Sequence, residues 1–337
     1  MLPPEIQRIV LLIGLAAVGY LLILAWTEDM EAAKAPMVYS DSPVLSQQPL
    51  AAQSDRPVVD EFAPIDSDIA PVPQAPVTQP AVGKGRLVKV ETPVLEVWID
   101  LLGGDIARVQ LPTYPISLEQ PDTPFLLMDR SASRTYIAQS ALIGSDGIDK
   151  TGTRPLYEAA SDSLTLTEGG ELVLTTTLDD ARVSKIFAFE PDSHLINIRY
   201  EVVNLATRSK TMRLLTQIKR DRLPPPTDET VPLAPSPYLG GALTTPDNNY
   251  KKVDFDDLDE GNFQASAIGG WMAFLQHYFL TAWVAPSDQA TNYLARKTSD
   301  GFYLFGFTGQ NQSIQPGATG IWRADFYAGP KDQVVLE

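Results

Sequence analysis

Alternation of apolar and polar residues with a period of two dominates the chain beyond residue 85, and it permits few folds. In "LEVWIDL", Leu95, Val97, Ile99 and Leu101 share one face while Glu96, Trp98 and Asp100 share the other, as in a half-buried strand. Gly103-Gly104-Asp105 then turns the chain. "LINIRYEVVN" sets Ile196, Ile198, Tyr200 and Val202 against Asn197, Arg199 and Glu201, and "FYLFGF" and "IWRADFYAG" repeat the pattern near the end. "LTLTEGGELVLTTTL" reads as a hairpin joined at Glu168-Gly169-Gly170-Glu171. No long helical period occurs in this half. About 250 residues of such strands predict an all-β class and one large β-sandwich, big enough to bury roughly 70–75% of its unfolded surface.

A different physics governs the start. "IVLLIGLAAVGYLLILAW", Ile9 to Trp26, is 18 residues without a charge. As a helix it is about 27 Å long, close to the roughly 30 Å of bilayer hydrocarbon. Ile9, Leu12, Leu15, Tyr20 and Leu22 belong to this anchor, and Trp26 sits where an interfacial aromatic belongs. Arg8 precedes the run while Glu28, Asp29 and Glu31 follow it, so residues 1–8 are expected in the cytoplasm and the bulk outside. A cleaved secretory signal would need a shorter core, and Pro36 directly follows the nominal Ala33-Lys34-Ala35 site. Residues 27–84 hold nine prolines between Pro36 and Pro80 with no persistent period, which predicts a disordered tether reaching on the order of 40 Å. The expected organisation is therefore 1–8 cytoplasmic, 9–26 membrane helix, 27–84 tether and 85–337 β-domain.

Composition removes several functions. There is no cysteine, hence no disulfide, thiolate metal site or cysteine nucleophile. A formal net charge of −16 argues against nucleic acid as a partner. Only His194 and His277 could serve acid–base chemistry, and neither has a partner evident in sequence, so no catalytic, cofactor-binding or metal residues are assigned. "DFDDLDEGN" (254–262) fails as a calcium loop. Counting from Asp254 puts Leu258 at the fifth position, and counting from Asp257 puts Ile268 at the twelfth. It reads as a solvated acidic loop.

Two stretches carry candidate contacts. "KTMRLLTQIKRDRLPPP" (210–226) concentrates Arg213, Lys219, Arg220 and Arg222. It reads either as a half-buried edge strand with protective charges or as an edge on which a partner docks by strand addition. "GGWMAFLQHYFLTAW" (269–283) carries Trp271, Phe274, His277, Tyr278 and Trp283 as core or cleft aromatics. From Tyr278 on it is a strand with two apolar faces, expected to lie centrally between packed layers. "WMAFLQ" before it fits a strand or one helical turn.

The aromatic stretch also resembles a signature of the large periplasmic domain of the YidC family of bacterial inner-membrane protein insertases. "GGDIARVQLPTYP" (103–115), "SALIGSDG" (140–147), "RPLYEA" (154–159), "GGALTTPDNNYKK" (240–252), "QPGATG" (315–320) and "YAGPKDQ" (327–333) agree in type and order. The resemblance implies a β-supersandwich of galactose mutarotase-like type. It further implies a lipid bilayer around the N-terminal span, contact with the Sec translocon and its accessory subunits, and nascent membrane proteins as clients. In that family the insertion groove lies in five further membrane helices. No run after Trp26 reaches 18 apolar residues, so no groove residue is expected in this chain. The rival reading is a membrane-tethered carbohydrate-binding or mutarotase-like protein.

Overall fold

The computed structural model describes residues 86–117, 119–149, 153–225, 238–245 and 248–331. The expected anchor with Ile9, Leu12, Leu15, Tyr20, Leu22 and Trp26, and the expected tether, lie outside the described residues.

Among the described residues the alternation noted above resolves into twenty strands. The first ten are β1 (Leu87–Glu91), β2 (Glu96–Asp100), β3 (Asp105–Ser117), β4 (Gln120–Arg130), β5 (Thr135–Ile143), β6 (Glu158–Ala159), β7 (Ser163–Thr165), β8 (Gly170–Leu178), β9 (Ala181–Phe189) and β10 (Leu195–Asn204). There follow β11 (Lys210–Arg220), β12 (Gly240–Thr245), β13 (Asn248–Val253), β14 (Phe263–Ile268), β15 (Trp271–Leu275), β16 (Phe279–Val284), β17 (Ala290–Lys297), β18 (Tyr303–Thr308), β19 (Gln312–Ile314) and β20 (Thr319–Pro330). One short helix, α1 (Phe255–Glu260), separates β13 from β14.

The strands form two sheets. An eleven-stranded sheet runs β14-β17-β18-β11-β5-β4-β3-β2-β1-β7, with β19 also paired to β11. A nine-stranded sheet runs β13-β12-β15-β16-β20-β10-β9-β8-β6. The described pairings are antiparallel except for β1 with β7. Leu95, Val97 and Ile99 from the first sheet and Ile196, Ile198, Tyr200 and Val202 from the second belong to one buried cluster, so the two inner faces make a common core. Burial of these apolar rows is the main force joining the sheets.

Three expectations need correction. "LTLTEGGELVLTTTL" is not a hairpin. β7 pairs with β1 in one sheet while β8 pairs with β9 in the other, so Glu168-Gly169-Gly170-Glu171 carries the chain between sheets. The true hairpin partner of β8 follows it, with Leu178 opposite Ala181 across a two-residue turn. β11 is not an edge: β5 lies on one side, with β18 and β19 on the other. "DFDDLDEGN" is not a plain loop, because α1 forms within it. The Asp257 carboxylate accepts from the Asp254 backbone N–H at 3.0 Å, satisfying one donor of the helix start, and Phe255 and Leu258 are buried. "WMAFLQ", left open between a strand and one helical turn, is strand β15, in register with β16 from Trp271–Val284 to Leu275–Leu280.

Candidate functional site

The basic stretch sends one of its charges between the sheets. On β11, Arg220 is 0% exposed and its guanidinium carbon lies 4.5 Å from the Tyr136 ring centroid and 4.1 Å from that of Phe274. Its Nε donates to the Asp221 carbonyl at 2.8 Å and a terminal nitrogen donates to the Leu223 carbonyl at 2.6 Å. Burial lowers its pKa to about 10, with the Tyr136 hydroxyl opposing that shift. Tyr136 in turn shares a hydrogen bond of 2.7 Å with Thr281 on β16. Arg220 is thus a pillar between the sheets. Lys219 is buried with its ammonium 4.7 Å from the Phe302 ring, and Arg213 is half-buried. Of the four residues expected at a partner edge, Arg222 is the one fully exposed, and Asp256 and Asp259 of α1 bind it there. The edge reading fails because β11 is flanked on both sides, and Lys219 and Arg220 lie on aromatic rings.

The five aromatics do not meet at one wall. Phe274 and Trp283 are core residues. Trp271 packs instead on the outer side of the nine-stranded sheet, beside Tyr250 and over a floor that includes Ala242, Ala273 and Ala282. His277 and Tyr278 occupy the β15–β16 turn, closed by the Gln276 N–H to the Phe279 carbonyl at 2.9 Å. They are exposed, with Tyr278 at 68%, and stack on one another at 4.0 Å. The expectation that they are core or cleft residues is therefore wrong: two-residue turns point their side chains to solvent even inside an aromatic run.

A buried polar cluster that composition and motif reading passed over gathers at the start of β3. Gly103 and Gly104, at φ +80° and +64°, make the tight turn that brings Asp105 to the start of β3. The Asp105 carboxylate accepts from Arg154 at 2.8 Å and from Gln139 at 3.0 Å, and Gln217 donates on to Gln139 at 3.0 Å. A second carboxylate, Asp149, accepts from Arg154 at 2.8 Å and from the Leu142 backbone at 2.8 Å. Lys185 of β9 is 0% exposed and donates to the carbonyls of Gly104, Gly103 and Ser140 at 2.7, 3.0 and 3.4 Å. Tyr200 donates to the Ser140 carbonyl at 2.8 Å.

Burial decides the electrostatics of this cluster. It lowers the Lys185 pKa to about 7, Asp105 pulling the other way and Arg154 adding to the fall. Burial also works against charge on Arg154, yet Asp105 and Asp149 outweigh it and hold that guanidinium above its ordinary value. Tyr157 and Tyr200 are raised well above the usual tyrosine range by burial. Such groups could exchange protons, but here they are sealed between sheets and stitch backbone carbonyls together. One sequence signal existed. Lys185 stands between Val183 and Phe187 on the inward row of β9, where a lone cation needs buried acceptors.

Neither histidine forms an acid–base pair among the described residues. His194 is half-buried against Tyr114 and Tyr327, its pKa is lowered by burial, and its Nε2 has no hydrogen-bond partner. No group of three or more His, Asp or Glu is placed to hold a metal ion among the described residues. Outside the core, a shallow depression of about 370 Å³ opens on the nine-stranded sheet beside Arg199, Arg323 and Asp325.

A family model described as the YidC periplasmic domain matches residues 87–337. The chain is 38% identical over 344 residues to the membrane protein insertase YidC of Azotobacter vinelandii, covering 99% of this chain and 60% of that protein. It is 38% identical over 335 residues to the YidC of Cellvibrio japonicus, covering 98% of this chain and 59% of that protein. The chain thus spans about 60% of the length of the curated relatives it matches. Among solved structures, a galactose mutarotase-like protein from Lactobacillus casei covers 72% of this chain and 99% of its own at 10% identity and a TM-score of 0.48. A galactose mutarotase related enzyme from Lactobacillus acidophilus covers 72% and 97% at 10% identity and a TM-score of 0.46.

Proposed function

Because the chain belongs to the YidC family of membrane protein insertases, we propose that it is the anchored, periplasm-facing portion of such an insertase in the bacterial inner membrane. It serves the insertion and folding of integral membrane proteins, with or without the Sec translocon. The observation that carries this reading is identity of 38% spread over 99% of the chain, extending well beyond the β-domain. On this reading residues 9–26 cross the bilayer once, 1–8 stay in the cytoplasm, 27–84 act as a tether and 85–337 form the periplasmic domain. The stacked eleven- and nine-stranded sheets support placing that domain with the mutarotase-like supersandwiches. Its role is tethering and protein contact without covalent chemistry. The partners are lipid, the translocon with its accessory subunits, and nascent membrane proteins.

The absence of native cysteine makes the topology directly testable. A cysteine at exposed Asp300 should react with a membrane-impermeant maleimide in intact cells, and one at Glu5 only after lysis. Both variants should stay in alkali-washed membranes. The opposite labelling pattern would end the reading. Copurification of the chain with translocon subunits from solubilised membranes tests the partner assignment, and none recovered under mild detergent would remove it.

A further inference from the structure

Among the described residues, β14 and β7 end the eleven-stranded sheet, and β13 and β6 end the nine-stranded one. An open edge shows a row of unpaired N–H and C=O groups, a template for another strand, and proteins blunt such edges with short length, lysine or proline. Three of the four follow that practice. β7 has three residues, β6 has two, and β13 carries Lys251 and Lys252. β14 does not. It reads FQASAI, six residues with neither a charge nor a proline.

The backbone of β14 is oriented for pairing. Its described neighbour is β17, with Phe263 opposite Ala295 and Ile268 opposite Ala290. One step beyond that register, the Gly269 N–H donates to the Gln289 carbonyl at 2.8 Å. Hydrogen-bonded pairs alternate along an antiparallel ladder, so Phe263, Ala265 and Ala267 turn their backbone groups to β17. Gln264, Ser266 and Ile268 then present theirs to the open side.

Side chains on the strand match. Phe263, Ala265 and Ala267 are only half-buried against the main core; the Lys251 ammonium lies 4.9 Å from the Phe263 ring centroid, and the other two are small alanines. On the other face Gln264, Ser266 and Ile268 are exposed and uncharged, Ile268 at 74%. A strand laid here would put alternate side chains against the core rim, and a charged one would find no carboxylate or cation on β14 to meet it.

We propose that β14 is a strand-addition site that takes an extended, uncharged segment of another polypeptide with apolar residues at alternate positions. Main-chain hydrogen bonds to Gln264, Ser266 and Ile268 supply affinity, and the rim beside Ala265 and Ala267 selects apolar side chains. This rests on sheet topology and stands whether or not the membrane placement above holds.

The test uses the 337-residue chain in nanodiscs and a fluorescein-labelled Val-Thr-Val-Thr-Val peptide with lysines at both ends. The comparison peptide has proline at the centre, which lipid takes up alike but a ladder does not. Saturable binding of the first peptide alone is expected, with amide exchange over 263–268 slowed about tenfold or more and β13 unchanged. Ser266→Pro removes an outward N–H and leaves the backbone ladder to β17 in place, at the loss of the Ser266 hydroxyl's 2.8 Å hydrogen bond to Asn292, and Ile268→Lys adds an edge charge. Each should weaken binding about tenfold, the worth of one to two hydrogen bonds. If Ser266→Pro fails to fold, Ile268→Lys decides alone. Equal binding by the folded variants, equal binding of both peptides, no saturation, or protection located elsewhere would each overturn the proposal. So would a dimer in sedimentation with residues 263–268 already protected, since a second copy would then fill the edge.

Discussion

Arg220 and Phe274 face each other across the sandwich, guanidinium carbon to ring centroid 4.1 Å, with Tyr136 on the cation's other flank at 4.5 Å. The pair joins the two sheets away from their edges, because β11 and β15 are both interior strands. Arg220→Ala should therefore behave as a core truncation and cost about 3–5 kcal/mol in urea unfolding. Arg220→Met keeps the stem between the rings and should cost under about 2 kcal/mol. If both variants lose the same amount, packing of the stem is not what the residue contributes.

What the chain made legible, and what it did not, follows from the range of the interactions involved. The rows Leu95-Val97-Ile99 and Ile196-Ile198-Tyr200-Val202 announce buried strand faces, since alternation is a local property and each row is buried as read. The position of a strand within its sheet is not local. Lys219 and Arg220 on β11 look like edge guards until Phe302, Tyr136 and Phe274, distant in sequence, arrive to cover them. The same limit hid the Asp105–Arg154–Asp149 cluster, whose members are joined only by folding. At 168–171, two glycines between alternating runs suit either a hairpin or a crossing between sheets, and pairing elsewhere decided it.

Gly306 offers a sharp test of the β11–β18 contact. A Cβ built there would lie 1.9 Å from the Thr216 carbonyl oxygen, a backbone atom that cannot swing away. Gly306→Ala should force the strands apart and cost about 3 kcal/mol or more. Gly261, with no atom within 4 Å of its would-be Cβ, is the control, and Gly261→Ala should stay within about 0.5 kcal/mol of the parent. Thermal unfolding of the two variants side by side gives the answer, and equal midpoints would refute the contact.

Arg154 holds two buried carboxylates, Asp105 and Asp149, each at 2.8 Å. Arg154→Met leaves both without their cation in a dry site and should cost about 3–5 kcal/mol. Adding Asp149→Asn removes one orphaned charge, so the double variant should be more stable than the sum of the single losses by about 1 kcal/mol or more. A double-mutant cycle by chemical denaturation measures this coupling. Strict additivity would show that the three groups do not act together.

Lys185 gives the fold a pH dependence whose sign can be worked out. Unfolded, the amine has the ordinary lysine value of 10.5; folded, burial brings it down to about 7. Between pH 7 and 10.5 the unfolded chain therefore binds more protons than the folded one, and stability contributed by this group rises with pH across that window. Below pH 7 both states carry the proton, and the cost of burying the charge is present in full. Lys185→Met has no proton to lose and should flatten that part of the profile, so the parent-minus-variant difference should climb by on the order of a few kcal/mol from pH 7 to pH 10. Urea titrations at unit pH steps provide the measurement. A difference that stays level would mean that the Gly103, Gly104 and Ser140 carbonyls hold the ammonium form as firmly as water does.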